Sequence, residues 1–246
     1  MEKIVLINHK GGVGKTTSAI NIAAGLALKG KKTVAIDLDP QANLTESFGK
    51  FNLPDNIYQS FSKGEPLPVL ELKKNLSLVP ASLDLAGIEL EISSRLAREK
   101  IFSDLLKPLE NKYDVAVFDC PPSLGLITVN ALVAADDVYI PMIAEYLAYR
   151  GIDSIVGIIE QIKEHFNAKL RIKGVFFTKF NDKIVLSSNI KENVESIFGD
   201  TLMKTVIRTN IALAECQAQG IDIFEYNSKS NGAIDYRDLV NEILKQ

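Results

Sequence analysis

Apolar residues along this chain form two alternating patterns: short continuous runs, and longer stretches in which apolar residues recur every three or four positions. The runs predict strands at residues 4–7, 33–37, 76–80, 114–119, 137–141, 170–177 and 205–207. The spaced stretches predict helices at residues 19–26, 82–92, 100–109, 126–134, 150–166, 188–198 and 233–244. Because the patterns alternate, we expect an α/β fold in which helices flank both faces of a mostly parallel, twisted sheet. Residues 50–68, which contain three prolines, are predicted to form an irregular surface excursion.

The composition is that of an ordinary globular domain. The 246 residues fit a single domain over 1–246, with 46% hydrophobic and 24% charged residues. A net charge of −3 argues against a surface that is basic throughout, so any nucleic-acid contact must come from a local patch. No continuous apolar run approaches the roughly 18 residues of a membrane span. Because the first predicted strand begins almost at Met1, we expect no helix-turn-helix extension before it.

A glycine-rich turn, KGGVGKTT at residues 10–17, lies between the first predicted strand and the first predicted helix. This is the context of a phosphate-binding loop, in which glycines let backbone N–H groups approach phosphate oxygens closely. The start of the following helix adds a favourable dipole and unpaired N–H donors. In this pattern the Lys15 ammonium faces the β- and γ-phosphates, and the Thr16 hydroxyl is placed to ligate Mg²⁺.

The loop departs from the general P-loop pattern at its start, where His9 replaces the first glycine and an additional lysine, Lys10, follows. The form x-K-G-G-x-G-K-[ST] resembles the deviant Walker motif of the ParA/MinD ATPases. That resemblance covers essentially the whole chain and implies that the ligands are ATP and Mg²⁺. It also implies that Lys10 reaches the phosphates of the nucleotide bound to the other subunit of an ATP-dependent dimer. The residues implied to contact the nucleotide are Lys10, Gly11, Gly12, Val13, Gly14, Lys15, Thr16 and Thr17.

Acidic residues follow two predicted strands. The sequence Asp37-Leu38-Asp39-Pro40-Gln41 begins at the end of one strand, on the ligand side of a parallel sheet. It resembles the D-x-D-P-Q motif of the ParA family, which implies that Asp39 positions the attacking water and that Asp37 lies near Mg²⁺. Asp119 closes the strand at 114–119, where an acid can hold a magnesium-bound water.

The segment after residue 204 resembles the family pattern T-V-I-P-R-N-x-R-L-S-E-A only in part. Asn210 matches the asparagine that flanks the nucleoside in the family, while Arg208 stands in place of the proline. Thr209 and Ala212 occupy positions at which many members carry arginines for sequence-independent DNA binding. We therefore expect Arg208 and Asn210 near the nucleotide. The candidate basic patch for DNA consists of Arg208, Lys204 and Lys229.

Two other enzyme classes share parts of this pattern. A Rossmann dehydrogenase would carry a third glycine where Thr17 stands and would have no use for Lys15 followed by a threonine. A reductase resembling the nitrogenase iron protein would hold an iron–sulfur cluster with two cysteines per subunit, but Cys120 and Cys216 lack the glycine-flanked setting of those ligands. Since there is no secretory signal, we expect both cysteines to be reduced thiols in the cytoplasm.

A third alternative is a MinD-like positioning ATPase that uses a membrane or protein track instead of DNA. Membrane attachment would require a terminal amphipathic helix with a basic polar face. In the tail, Asp238 and Glu242 offset Arg237 and Lys245. This balance of charge favours docking of the helix on its own domain over binding to a membrane partner.

The resemblance as a whole implies a ParA/Soj-type ATPase acting in plasmid or chromosome partition or in cargo positioning. ATP would close two subunits face to face into a homodimer, and the dimer would bind non-specific DNA. A partner of the ParB type would then stimulate hydrolysis. The residues implied to be catalytic are Lys10, Lys15 and Asp39. We expect a cytoplasmic protein, associated with the nucleoid if it binds DNA.

Overall fold

A twisted sheet runs through the centre of the fold. The structure is a computed structural model and describes residues 1–145, 151–181 and 184–246. In these ranges the strands are β1 (Glu2–Leu6), β2 (Thr33–Asp37), β3 (Leu70–Lys73), β4 (Leu76–Val79), β5 (Val115–Asp119), β6 (Asp137–Ile143) and β7 (Arg171–Thr178). Their order across the sheet is β3-β4-β2-β5-β1-β6-β7, and each neighbouring pair is parallel except the antiparallel edge pair β3–β4. The predicted mostly parallel sheet is confirmed.

Helices cover both faces of the sheet. They are α1 (Lys15–Leu28), α2 (Asn43–Ser47), α3 (Ile57–Lys63), α4 (Ile88–Ile92), α5 (Ile101–Leu106), α6 (Leu126–Ala134), α7 (Ile152–His165), α8 (Val185–Phe198), α9 (Ala212–Ala218), α10 (Ile223–Asn227) and α11 (Asn231–Ile243). Side chains alternate between the faces of a strand, so Val5 and Val34 join one buried cluster while Ile4 and Leu6 join the other. Helices α3 to α8 pack on the first face, and α1, α2 and α9 to α11 pack on the second.

Most of the predicted elements are present with small shifts. The predicted strands differ from the observed ones by at most two residues at either end, except for the one expected at 205–207. Strand β3 has no predicted counterpart. The helix predicted at 82–92 is a 3₁₀ turn followed by α4, and the one at 100–109 is α5 between two 3₁₀ turns. The helix predicted to begin at residue 150 begins at Ile152, and residue 150 itself lies outside the described residues. The tail helix α11 docks on its own domain, as predicted, and packs against α1 through Tyr236, Leu239 and Val240.

The strand predicted at 205–207 is wrong for the described residues. The residues on either side of this segment form only isolated bridges with β7 and the residues after it, between Val175 and Leu202 and between Phe180 and Arg208. The N–H groups of Lys204 and Thr205 instead donate to the Glu242 carboxylate, at 2.7 and 3.0 Å. Donors used by a side chain cannot extend the sheet, so a regular ladder does not form.

The prediction of an irregular surface excursion at 50–68 is wrong for residues 57–63, while the residues on either side of them are irregular. Helix α3 lies in this stretch and begins with a capping box, in which Asn56 accepts from the N–H of Tyr58 and the Gln59 side chain accepts from the N–H of Asn56. Its residues Ile57 and Phe61 are fully buried in the core on the first face. Helix α3 is therefore part of the hydrophobic core.

Because Phe61 of α3 is buried in the core, Phe61→Ala should cause a large loss of stability. The Phe61 ring stacks on Phe102 with centroids 5.9 Å apart, and removal of such a buried ring lowers the free energy of unfolding by about 3–5 kcal/mol. Phe51, in the same stretch, is 60% exposed, so Phe51→Ala should change it by less than about 0.5 kcal/mol. Urea denaturation of both variants tests the comparison, and equal losses would contradict the placement of α3.

The sheet order brings three strand ends to one place. Because β5 lies between β2 and β1, the carboxyl ends of these three strands are neighbours. They are also level, since Asp119 pairs in register with Leu6 on one side and with Asp37 on the other. The glycine-rich loop after β1 and the acids that end β2 and β5 therefore meet at one edge of the sheet, where ligands bind in folds of this type.

Candidate active site

The glycine-rich loop presents its backbone to solvent. Gly12 and Gly14 have φ angles of +74° and +83°, in the left-handed region that residues with a side chain adopt at a cost. A Cβ added at Gly11 or Gly12 would meet no atom within 4 Å, so the space above the loop is open. Helix α1 begins at Lys15 and has no acidic residue in its first turn. The loop and the helix N-terminus together offer N–H donors to an anion.

A cavity of about 440 Å³ lies over this loop. Its walls come from the loop and the start of α1, from the segment after β2, and from one residue each after β5, after β7 and in α9. The lining residues are Gly11, Gly12, Gly14, Lys15, Thr16, Thr17, Asp39, Gln41, Asn43, Ser47, Pro122, Lys179 and Gln217. The structure thus brings together most of the residues predicted to contact the nucleotide. Val13 is buried beneath the loop, where its carbonyl oxygen accepts from the Thr178 hydroxyl at 2.7 Å.

Lys15 carries its charge into a largely buried position. Only 7% of the residue is exposed, and burial lowers the pKa of its ammonium group. The carboxylates of Asp119 and Asp39 act in the opposite direction and favour the charged form. A cation held in such a place interacts with a phosphate more strongly than an exposed lysine would, because water screens it less.

Asp119 has an unusual environment for a carboxylate. It is fully buried, and within the described residues neither of its side-chain oxygens has a hydrogen-bond partner. Burial raises its pKa well above the ordinary range, and the neighbouring Asp37 adds to that effect. The Thr16 hydroxyl and the Lys15 ammonium lie close enough to oppose the rise. A divalent cation with its bound water would supply the missing donors and positive charge, so the site fits Mg²⁺.

The carboxylate oxygens of Asp37, by contrast, accept hydrogen bonds from the segment that follows β2. One of its oxygens accepts from the Thr45 hydroxyl at 2.6 Å and from the Thr45 N–H at 2.9 Å, and the other accepts from the N–H of Asp39 at 3.1 Å. Burial nevertheless raises its pKa to about 7. These bonds make Asp37 an anchor for the segment that carries Asp39, and its role beside the metal stays a prediction.

Asp39 lies on the cavity wall with a fixed orientation. It is 7% exposed, and one of its carboxylate oxygens accepts from the N–H of Gln41 at 2.9 Å. Its backbone carbonyl accepts from the N–H of Ala42, which closes a tight turn. The turn thus places the Asp39 carboxylate on the wall of the cavity above the glycine-rich loop, and its role beside the attacking water stays a prediction.

Lys10 does not line the cavity. Its ammonium group forms an ion pair with the Glu145 carboxylate at 2.6 Å, and its N–H donates to the Asn8 side chain. Both partners of the pair are well exposed, at 38% for the lysine side chain and 61% for the glutamate side chain. An exposed ion pair of this kind contributes about 0–1 kcal/mol, so Lys10 is not strongly held.

His9, which replaces the first glycine of the general pattern, links the loop to the segment after β5. A ring nitrogen of His9 lies 2.9 Å from the carbonyl oxygen of Pro122, and as the carbonyl can only accept, this nitrogen carries the proton. Pro122 also lines the cavity. The side chain that breaks the general pattern therefore ties the loop to the segment that follows Asp119.

A second cavity of about 260 Å³ adjoins the first, with Gly14, Thr17, Lys179 and Gln217 lining both. Its other walls come from residues 207–210 and from α9 and α11. Asn210 lines it, and its side-chain oxygen also accepts from the N–H of Ala212, which starts α9. Such a pocket beside the glycine-rich loop has room for a nucleoside, and the contact of Asn210 with a nucleoside stays a prediction.

Arg208 also lines the second cavity, but its side chain is engaged. The guanidinium group forms a bidentate ion pair with Asp235 of α11, with the shortest contact at 2.6 Å, and the Arg208 N–H donates to the same carboxylate. Because Asp235 is buried, this pair ties the segment before α9 to α11. The geometry favours a structural role, and contacts of Arg208 with nucleotide or DNA stay predictions.

Several residues of the site carry no signal in the sequence. Thr178 holds the loop through its bond to Val13, and the Gln217 amide donates to the Thr17 hydroxyl at 3.2 Å. Lys179 lines both cavities. These residues come from the end of β7, from the position directly after it and from α9, more than 150 residues after the loop, and only the fold brings them there.

The two cysteines do not form a shared site. Cys120 is buried in the core on the first face of the sheet and Cys216 in the core on the second. Burial raises the pKa of both thiols, to about 11 for Cys216. Among the described residues no group of three or more His, Cys, Asp or Glu side chains is arranged to hold a metal ion. A magnesium ion at Asp119 would therefore depend on Thr16, water and phosphate oxygens for its other ligands.

In the parts of the chain that the structure describes, no helix has the length and apolar character needed to cross a membrane.

A family model described as an AAA domain matches residues 1–172. The sporulation initiation inhibitor protein Soj of Bacillus subtilis is 38% identical over 251 residues, which cover 99% of this chain and 98% of that protein. The chromosome-partitioning ATPase Soj of Treponema pallidum is 37% identical over 244 residues, which cover 98% of this chain and 96% of that protein.

A solved structure of similar fold is that of a cobyrinic acid a,c-diamide synthase from Mycobacterium smegmatis with bound ATP analogue and magnesium. It matches with a TM-score of 0.89 at 30% identity and covers 100% of this chain and 94% of that chain. The two Soj proteins are more similar in sequence and match over nearly their whole length. The glycine-rich loop with its additional lysine, Lys10, also supports a relationship with the Soj proteins. The chain therefore belongs to the ParA/Soj family within the ParA/MinD superfamily of P-loop ATPases.

Proposed function

We propose that this protein is a magnesium-dependent ATPase that dimerises on binding ATP and acts in plasmid or chromosome partition, or in the positioning of another cargo. One observation carries the proposal: Lys15, Thr16 and Asp39 line a single cavity, beside which Asp119 holds a buried carboxylate without a hydrogen-bond partner among the described residues. The names of the two Soj relatives support partition as the process. Such a protein would act in the cytoplasm, on the nucleoid if its track is DNA.

ATP and Mg²⁺ fit the residues of the site. The β- and γ-phosphates would lie against the loop and Lys15, and the nucleoside would lie in the cavity beside Asn210. Thr16 and Asp119 would hold magnesium, directly or through water. Bound magnesium neutralises charge on the phosphates and polarises the γ-phosphoryl group. The bound ATP analogue and magnesium in the mycobacterial structure support this assignment.

Hydrolysis in this proposal depends mainly on positioning and on charge. Asp39 orients the attacking water, because the bond from Gln41 fixes its carboxylate on the cavity wall. Lys15 stabilises negative charge on the phosphoryl oxygens from a position that water screens poorly. Turnover is slow until a partner of the ParB type completes the arrangement.

In this proposal ATP, rather than ADP, shifts the population from monomers to dimers, because only ATP favours the dimer. Lys10 leaves its ion pair with Glu145 and reaches the phosphates of the other subunit. Because that pair is exposed, its loss costs little compared with a contact to a phosphate. The geometry thus supports a lysine that is available for a second subunit.

The proposed track is non-specific DNA, and a membrane or protein track is the alternative. Lys204 and Lys229 are exposed and form no ion pair within the described residues, whereas Arg208 is bound to Asp235. With Thr209 and Ala212 in place of arginines, the two lysines carry more of the predicted patch than Arg208 does. Their exposure supports a DNA surface.

DNA binding by the Asp39→Ala protein tests this function. With ATP we expect binding, and with ADP none, because only the ATP dimer presents two patches. For about four phosphate contacts per dimer, affinity should fall on the order of 100-fold between 50 and 200 mM salt. Fluorescence anisotropy with a labelled duplex measures both effects. ATP-dependent dimers that do not bind DNA would turn the search to a membrane or protein track.

Single substitutions test which basic residues form the proposed DNA-binding patch. Lys204→Ala and Lys229→Ala should each weaken binding, while Lys169→Ala, at an exposed position just before β7, should not. Arg208→Ala also breaks the ion pair with Asp235, so Asp235→Ala is its control. If Arg208 contacts DNA, only Arg208→Ala weakens binding. If the pair is structural, both variants lower the melting temperature alike.

A further inference from the structure

Lys179 has a strained backbone and lies where the two cavities meet. Its φ angle is +49°, in the left-handed region that lysine rarely adopts. Both neighbours hold it there: the Thr178 hydroxyl donates to the Val13 carbonyl in the loop, and the N–H of Phe180 donates to the Ile207 carbonyl. Strained residues persist where the surrounding structure over-determines them, and they are frequent at ligand sites.

The charge of Lys179 is available to a ligand. The residue is exposed, and no other described residue forms an ion pair or a hydrogen bond with its ammonium group. By comparison, Lys10 is paired with Glu145, and Lys15 lies against Asp119 and Asp39. Lys179 therefore places a positive charge, unpaired among the described residues, at the wall of a cavity suited to anions. Such a charge attracts an anion that binds in the cavity.

The lining of the cavities indicates which anion that is. The residues suited to the β- and γ-phosphates, among them Lys15 and Thr16, line the first cavity only, and Asn210 lines the second only. Lys179 belongs to the group that lines both, with Gly14, Thr17 and Gln217. A nucleotide that spans the two cavities places its α-phosphate at this junction.

We propose that Lys179 binds the α-phosphate of the nucleotide within its own subunit and so holds ADP and ATP alike. This inference rests on the nucleotide site proposed above and adds to it a third lysine, with a role that differs from the other two. Lys15 acts on the phosphates that change during hydrolysis, and Lys10 acts across the dimer. Lys179 contributes uniform binding, which lowers the dissociation constant without favouring one nucleotide.

The test compares the affinities of ADP and of a non-hydrolysable ATP analogue for Lys179→Met, measured by calorimetry with magnesium at physiological salt. Methionine is close to the aliphatic part of lysine in length and keeps the same backbone strain, but it lacks the ammonium group and its charge. We expect both dissociation constants to rise about tenfold, the effect of one hydrogen bond to a charged group. Lys179→Arg should recover most of the affinity. Lys169→Met, placed before the opposite end of β7, is the matched control and should bind as the native protein does.

Two results would overturn the assignment: a change of less than twofold for both nucleotides, or a loss confined to the ATP analogue, which would place Lys179 at the γ-phosphate or at the dimer interface. Lys15→Ala separates this failure from failure of the site itself. If Lys15→Ala loses nucleotide binding and Lys179→Met does not, only the role of Lys179 is wrong. If Lys15→Ala binds both nucleotides normally, the whole site is misplaced. Circular dichroism of each variant checks that the fold is intact.

Discussion

Lys15→Ala is expected to weaken nucleotide binding about 100-fold or more. The ammonium group is largely buried between the loop and two carboxylates, and its replacement removes more than one charge-assisted contact to phosphate, each contributing about 1.5–3 kcal/mol. The variant also leaves Asp119 and Asp39 without their nearest cation, which makes the cavity more repulsive to an anion. Calorimetry with ADP and with an ATP analogue measures the loss.

The matched control is Lys29→Ala, at the exposed end of the same helix. It should bind both nucleotides with native affinity, since it lies some 14 residues from the loop. If Lys15→Ala keeps native affinity, or if both variants lose it equally, the loop is not the phosphate site. ATP-driven dimers of Lys15→Ala would contradict the proposal for the same reason.

Asp39→Ala is expected to lower the rate of ATP hydrolysis by about 10²–10³-fold, the usual effect of removing a group that acts in the transition state. ATP binding should survive, because Asp39 lies on the cavity wall and not in the glycine-rich loop. Single-turnover assays with excess protein separate the two effects. Hydrolysis at the native rate would move the water-positioning role to another residue.

Asp39→Asn separates charge from position. The asparagine keeps an oxygen that can accept from the N–H of Gln41, so the turn after β2 is preserved. If charge is needed to orient or deprotonate the water, Asp39→Asn is as slow as Asp39→Ala. If Asp39→Asn retains most of the activity, the carboxylate acts only by holding the turn, and the water-positioning role proposed for Asp39 is wrong.

The site residues at the strand ends can be predicted from the sequence, because each of them is placed by the apolar run directly before it. Asp37 and Asp119 each close a run of buried apolar residues, and the loop at 10–17 directly follows another, so each position is set by its own strand. Their convergence needs only the sheet order β2-β5-β1, in which the three strand ends are neighbours. The capping box of α3, from Asn56 to Gln59, is also a local signal, although the prolines around it obscure it.

The contacts that the sequence does not predict join distant parts of the chain. Lys10 and Glu145 are 135 residues apart, and the bond from Thr178 to Val13 spans 165 residues. The ion pair of Arg208 with Asp235 is closer in sequence, but nothing in a string of residues shows that α11 lies under the segment before α9. Tertiary packing determines such contacts, and it also redirects the N–H groups of residues 204 and 205 away from a strand.

The proposed function requires ATP, through Lys10, to convert a monomer into a dimer. Analytical ultracentrifugation of Asp39→Ala tests it most directly, because slow hydrolysis keeps ATP bound during the run. We predict a dimer with ATP, a monomer with ADP, and a monomer with either nucleotide for the double variant Lys10→Ala, Asp39→Ala, whose ATP affinity should be close to that of Asp39→Ala. A monomer of Asp39→Ala in saturating ATP, or a double variant that dimerises equally well, would contradict the claim.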